Sequence, residues 1–104
     1  MPTPTTPPSA VRRALRKLGQ DIKDARKRRS LTMEVLADRA FTTRKTLQRI
    51  EAGDHAVSIG IYASVLHALG LLEGVSDLAD PASDEVGLAL SLAELPHRVR
   101  TSRK

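Results

Sequence analysis

Apolar residues recur every three or four positions along most of this chain, which is the period of an amphipathic helix. From Ser9, a suitable cap, to about Arg29, the residues Val11, Leu15, Leu18, Ile22 and Ala25 share one helical side. Gly19 lies inside this stretch; it costs roughly 1 kcal/mol relative to alanine and marks a place where the helix can bend or break. Ser30-Leu31 reads as a turn, and Thr32 is a good N-cap for a second helix, Met33 to Ala40, that buries Val35, Leu36 and Ala40. Phe41-Thr42 and their neighbours make the next turn. Thr43 caps a third helix that ends near Ala52, with Gly53 just past its end, where glycine is favoured. After a loop from Asp54 to Val57, Ser58 caps a fourth helix, Ile59 to Leu69, with Ile61, Val65, Leu66 and Leu69 on one face and Gly70 stopping it. A short fifth helix is expected over Leu72 to Leu78.

The ends of the chain read differently. MPTPTTPP, residues 1–8, is built from prolines and threonines behind the first methionine; it can neither form a helix nor bury apolar surface and is expected to be a disordered arm. Asp80-Pro81 marks a boundary. Beyond it, DEVGLALSLAEL (84–95) has Val86, Leu90 and Ala93 at helical spacing, while Gly87 and the dense apolar run would also suit a strand. Helix is the favoured reading, with Pro96 ending it and HRVRTSRK left as a basic tail. The organisation expected is an arm (1–8), a helical domain (9–80) and a C-terminal extension (81–104). Only Phe41 and Tyr62 are aromatic, so the core of a domain this size must be mainly aliphatic.

The second and third helices are separated by about three residues, which is the helix-turn-helix arrangement. In it the second helix braces across a nucleic-acid backbone while the front of the third faces base edges. TTRKTLQRIEAG (42–53) fits that division of labour. Leu47 and Ile50 form a tight apolar seam, and Arg44, Lys45, Gln48 and Arg49 carry long hydrogen-bonding groups at the front. Charge adds weight. Lys and Arg number 17 against 12 Asp and Glu. Nine of the 17 lie between Arg12 and Arg29, four more between Arg39 and Arg49, and none between Ala52 and Pro96. The basic half suits a polyanion.

SLTMEVLADRAFTTRKTLQRIEAG, with LGQDIKDARKRRSLT leading into it and SIGIYASVLHALG after it, resembles the Xre or lambda-repressor-like helix-turn-helix family. The likeness runs from about Leu18 to Leu78. It implies an all-α fold: a five-helix lambda-repressor-like domain with a short C-terminal extension. By position it implies that Arg44, Lys45 and Arg49 face bases, that Thr42, Thr43, Gln48, Lys27 and Arg28 meet the DNA backbone, and that Arg26 pairs with Glu51. The pair could equally be a surface ion pair worth under about 1 kcal/mol. Three departures stand out, one being Thr42, where the family usually has an apolar residue. The residue opening the second helix is usually glutamine and here is Met33, which cannot donate to phosphate. The turn usually has glycine where this chain has Phe41. If φ stays positive there, a bulky residue is strained by roughly 1–3 kcal/mol, so either the turn differs or burial of Phe41 offsets the strain.

Competing chemistry is thin. The chain has no cysteine, so it holds neither disulfide nor thiolate metal site. His55, His67 and His97 lie in a loop, a helix and the tail without ligand spacing, and no nucleophile motif or phosphate-binding glycine loop is present. No enzyme, metal or cofactor is expected. With no signal peptide or membrane-length apolar run, the expected location is the bacterial cytoplasm, at the nucleoid. A solvated helix face would explain Arg44, Lys45 and Arg49 without DNA, but the ordered set of helices around them favours a groove.

The acidic, leucine-rich segment after Ala52 calls for another partner. Leu72, Leu78, Val86, Leu88, Leu90 and Leu92 are candidates for homodimer or partner contact, with core packing as the alternative. LGLLEGVSDLADPASDEVGLALSLAELPHRVR resembles the C-terminal part of small Xre proteins encoded beside Hip-type kinase toxins, a likeness carried by DLADP, DEVGLAL and LPHRVR. That resemblance implies an antitoxin of a type II toxin–antitoxin system, which represses its own operon from a palindromic operator as a dimer and neutralises the kinase. The alternatives are a stand-alone prophage-type regulator and a protein–protein bridging module with the same fold.

Overall fold

A computed structural model of the chain describes the backbone of residues 6–102 and the side chains of residues 6–94. Most of the expected N-terminal arm, and the side chains of the basic tail, lie outside the described residues. The elements are α1 (Ser9–Arg28), α2 (Met33–Arg39), α3 (Arg44–Glu51), α4 (Ile59–Ala68), α5 (Leu72–Ser76), a 3-10 turn (Pro81–Ser83) and α6 (Glu85–Ser102). The fold is all-α, with no strand among the described residues. The chain divides into two compact units, the first ending at Leu72 and the second beginning at Glu73.

The core of the first unit gathers Ile22 and Ala25 of α1, Leu36, Ala37 and Ala40 of α2, Leu47 and Ile50 of α3, and Val57, Tyr62, Val65 and Leu69 around α4. The expected helical faces are largely those that are buried, with three corrections. Val11, near the start of α1, is exposed. Val35 is exposed. Met33, Leu36, Ala37 and Ala40 follow the three-and-four spacing of one face, and Val35 lies about 100° away from Leu36 around the helix. Met33 packs against the core instead, which accounts for an apolar residue at the opening of α2. On α4, Tyr62 rather than Ile61 is the deeply buried residue. Its ring fills core volume while its hydroxyl donates to the Asp54 carbonyl at 2.8 Å, as a buried tyrosine requires.

Side-chain caps set the starts of α2, α3 and α4, whereas Ser9, expected to cap the first helix, is the first residue of α1, which starts after Pro8 with no side-chain cap. Thr32 Oγ1 accepts from Val35 N at 3.1 Å, Thr43 Oγ1 from Thr46 N at 3.1 Å and Ser58 Oγ from Ile61 N at 3.2 Å. The helix ends share one device. After α1, α2, α3 and α4, the next two backbone N–H groups fold back onto carbonyls of the last turn: Ser30 and Leu31, Phe41 and Thr42, Gly53 and Asp54, Gly70 and Leu71. This double return requires a left-handed residue at its first position. Gly53 and Gly70 adopt it with φ 78° and 80°, Ser30 with 54° and Phe41 with 58°. The turn before α3 therefore keeps the left-handed geometry, and Phe41 is 97% exposed. Neither expected resolution of its strain holds.

Gly19 does not break α1, which runs on through it. A Cβ at Gly19 would sit 2.6 Å from the Ile50 carbonyl oxygen, 2.7 Å from that of Glu51 and 2.8 Å from Gly53 N. A Cβ at Gly53 would sit 2.7 Å from Arg16 Cα and from the Leu15 carbonyl oxygen. Backbone thus lies directly on backbone where α1 meets the end of α3. About two helical turns further along α1, Arg26 grips the same end. Its Nε and Nη2 donate to the Glu51 carboxylate at 2.7 and 3.1 Å, and its Nη1 donates to the Leu31 carbonyl at 3.1 Å. The two side chains are only 10% and 4% exposed. This is a buried, two-pronged pair rather than a surface one.

In the second unit, α5 stops at Ser76 instead of Leu78. From Asp77 the backbone tightens into i→i−3 bonds, Asp77 to Gly74 and Leu78 to Val75. Asp80 caps the 3-10 turn through Ala82 N at 2.8 Å, and Asp84 Oδ1 accepts from Gly87 N at 3.0 Å at the start of α6. Residues 84–95 take the helical option. Pro96 falls inside the bounds of α6 rather than at its end, although a proline removes one i→i−4 bond.

Two stability outcomes follow. Gly19→Ala gains helix propensity but forces two backbones apart, so a net loss of about 1–3 kcal/mol is expected in urea unfolding. Glu51→Ala strands the Arg26 guanidinium and is expected to cost about 3–5 kcal/mol, most of it recovered when Arg26→Met is added. A double variant no better than the single one would count against the pair as the source of the loss.

Candidate nucleic-acid interface

The front of α3 is prepared by its surroundings. Leu47 and Ile50 are fully buried and fix the rotation of the helix. Arg44, Lys45, Gln48 and Arg49 are left on the exposed side, and Thr43 and the half-buried Thr42 stand just ahead of them. The Thr43 hydroxyl caps the helix and also donates to Thr46 Oγ1 at 3.0 Å. The first turn of α3 has no acidic residue. Cations at a helix N-terminus oppose the helix dipole, usually by about 0.3–1 kcal/mol each. A helix arranged for stability alone would carry Asp or Glu there. Arg44 and Lys45 instead add to the positive end of the dipole, and the result is a concentrated positive spot with long, forked donors.

Two carboxylates moderate that spot. Glu34, in the first turn of α2, lies 3.8 Å from Arg44 Nη1, and both side chains are mostly exposed, so the pair contributes little and yields readily to a stronger anion. Arg49 is held more firmly. Its Nε donates to Asp54 Oδ2 at 2.7 Å, while Asp54 Oδ1 accepts from Ala56 N at 2.8 Å. The hydrogen bond from Arg49, and after it the one from Ala56, hold the Asp54 carboxyl below its ordinary range against the opposing effect of burial. Through this carboxylate Arg49 ties α3 to the loop that follows, a loop also gripped by Tyr62.

The sequence-derived set is therefore only partly gathered. Arg44, Lys45, Gln48 and Arg49 share the exposed side of α3, with Arg49 turned to Asp54 at its far end. Lys27 and Arg28 are exposed, but the Arg26–Glu51 pair sets this end of α1 against the C-terminal end of α3, the opposite end of an eight-residue helix from Arg44. At 1.5 Å per residue that is about 10 Å away. Sequence reasoning missed Glu34, Asp54 and Tyr62. Asp54 had a signal, since Asp just past a helix-ending glycine commonly accepts from the backbone two residues on. The Tyr62–Asp54 bond had none. Leu72, Leu78, Val86, Leu88, Leu90 and Leu92 are all exposed. No helix among the described residues is long and apolar enough to cross a membrane.

A capped second helix, a left-handed turn and a third helix with a basic front define a DNA-binding helix-turn-helix domain. A family model described as a helix-turn-helix domain matches residues 17–78. That is more than half of the chain, and the chain belongs to this family. Comparison with curated proteins and with solved structures found no match.

Asp54 supplies a pH test. Its carboxyl is held low in the fold, so its contribution is present above the ordinary carboxylate range and fades as pH falls through the lowered value. Wild type should therefore exceed Asp54→Asn in urea midpoint at neutral pH and converge with it as pH falls below the ordinary carboxylate range. A constant gap across that range would show that the charge on Asp54 contributes nothing.

Proposed function

We propose that this chain is a sequence-specific DNA-binding regulator, most directly a transcriptional repressor. It acts by binding rather than by catalysis, in the bacterial cytoplasm at the nucleoid. The observation that carries this reading is the front of α3, where Arg44 and Lys45 stand exposed at the positive end of a helix whose rotation is fixed by a buried seam. Arginine there can fork to guanine O6 and N7. In this reading Thr42, Thr43 and Gln48 meet phosphate, and Arg49 joins the base contacts once Asp54 releases it.

A homodimer on a palindromic operator is part of the proposal, because two recognition helices one DNA turn apart give a selective site. The exposed leucines from Leu72 to Leu92 support it. α6 carries Val86 and Leu90 on one side and Leu88 and Leu92 on another, all exposed, and so much apolar helix surface calls for burial against something. The finer reading is an antitoxin that autoregulates its operon and neutralises a Hip-type kinase toxin. It rests on the resemblance of the C-terminal segment and on that same exposed apolar helix.

The test is footprinting on the DNA upstream of the gene, with the full chain and with a chain ending at Asp80. A palindromic footprint is expected, and Arg44→Ala should weaken it by about 1–3 kcal/mol while relaxing one base position. Affinity should fall steeply between low and moderate salt, as counterion release requires. A footprint indifferent to Arg44→Ala would sink the base-reading role. Loss of the dimer or of a co-purifying kinase-like neighbour on truncation would support the antitoxin reading. A tightly bound protein partner with no footprint at all would replace the regulator with a bridging module.

A further inference from the structure

Phe41 is the least economical residue in the first unit. Its φ of 58° is a conformation that non-glycine residues rarely adopt. Nothing in the fold needs its side chain: the turn is closed by backbone bonds, Phe41 N to the Asp38 carbonyl at 3.1 Å and Thr42 N to the Ala37 carbonyl at 2.9 Å. A glycine would make both, as Gly53 and Gly70 do at the matching positions after α3 and α4. Burial does not offset the strain either, since the residue is 97% exposed. A strained backbone that presents an aromatic ring to open solvent points to a use outside the fold.

The surroundings narrow that use. Phe41 is three residues from Arg44, so the two Cα atoms are at most about 10 Å apart. Arg39, Arg44 and Lys45 outnumber the nearby carboxylates Glu34 and Asp38, and Glu34 already faces Arg44. A cationic setting around an apolar ring suits a polyanion that also has apolar points. In the major groove those points are the C5-methyl groups of thymine, which Phe can contact directly.

We propose that Phe41 is a specificity-determining residue, its ring packing on a thymine methyl at the edge of the groove that α3 enters. The proposal rests on the DNA-binding reading above. It assigns to the turn a base preference separate from those of Arg44 and Lys45.

The experiment uses the full chain and duplexes from its footprint in which thymines are replaced one at a time by deoxyuridine, which lacks the methyl. For wild type, one replacement in each half-site should lower affinity by about three- to tenfold. Phe41→Gly should bind the unmodified duplex more weakly by a similar factor and be indifferent to that replacement. It should also melt a few degrees higher, because the left-handed strain is gone; this rules out misfolding as the cause of weaker binding. Phe41→Leu should keep part of the methyl sensitivity. The proposal is overturned if Phe41→Gly binds as tightly as wild type, or if it keeps the wild-type response to every deoxyuridine. It is also overturned if the variant loses self-association at unchanged DNA affinity, which would assign the ring to a second copy of the chain. Absence of any wild-type footprint would remove the regulator reading and this proposal together, whereas a wild-type footprint matched by Phe41→Gly removes this proposal alone.

Discussion

The first unit depends on one contact: the backbone of α1 lying directly on the backbone at the end of α3. Gly19 and Gly53 make it possible, since a Cβ on either would fall within 3 Å of main-chain atoms of the other segment. Arg26 and Glu51 then hold the approach from the side with a buried, two-pronged ion pair. Removing a buried pair rarely weakens a protein if both partners become apolar, but removing one alone is severe. The pair therefore acts as a positional lock more than as a source of stability. It defines where the far end of α3 sits, and the Leu47–Ile50 seam defines which side of α3 turns outward.

With its far end anchored, α3 can carry at its near end residues that a free helix would not favour. Arg44 and Lys45 work against the helix dipole, and among the described residues the only compensation from a neighbouring helix is the loose approach of Glu34. Phe41 adds backbone strain two residues before the cap. These unfavourable features gather on one short stretch, 41–45; outside it, Ser30 is the other non-glycine residue at positive φ among the described residues. Among the described residues no buried side-chain nitrogen or oxygen lacks a partner. Local cost concentrated on an exposed surface, within an otherwise consistent fold, is the mark of a binding site.

Arg49 illustrates how a helix face and a contact network differ. Its position groups it with Arg44 and Lys45, yet its guanidinium is engaged by Asp54 and helps shape the loop before α4. Engagement with DNA would exchange one anion for another. The second unit presents the opposite problem, a helix with leucines on its surface and little within its own unit to cover them.

Much of this was legible along the chain. Helix number and order through α5, the caps at Thr32, Thr43 and Ser58, and the glycine ends at Gly53 and Gly70 follow from spacing and local hydrogen-bonding chemistry, which act over a few residues. So does the pairing of a buried seam with a polar front in TTRKTLQRIEAG. What only the tertiary structure decided involves residues far apart. It showed Gly19 as a seat for another backbone rather than a break, and Arg26–Glu51 as buried rather than superficial. It turned Met33 inward and Val35 outward, bound Tyr62 to Asp54, and left Phe41 strained and bare. Periodicity reports which residues share a face, because that depends on local geometry alone. It cannot report what that face meets, because close approach, burial and ion pairing are properties of two segments brought together by the fold.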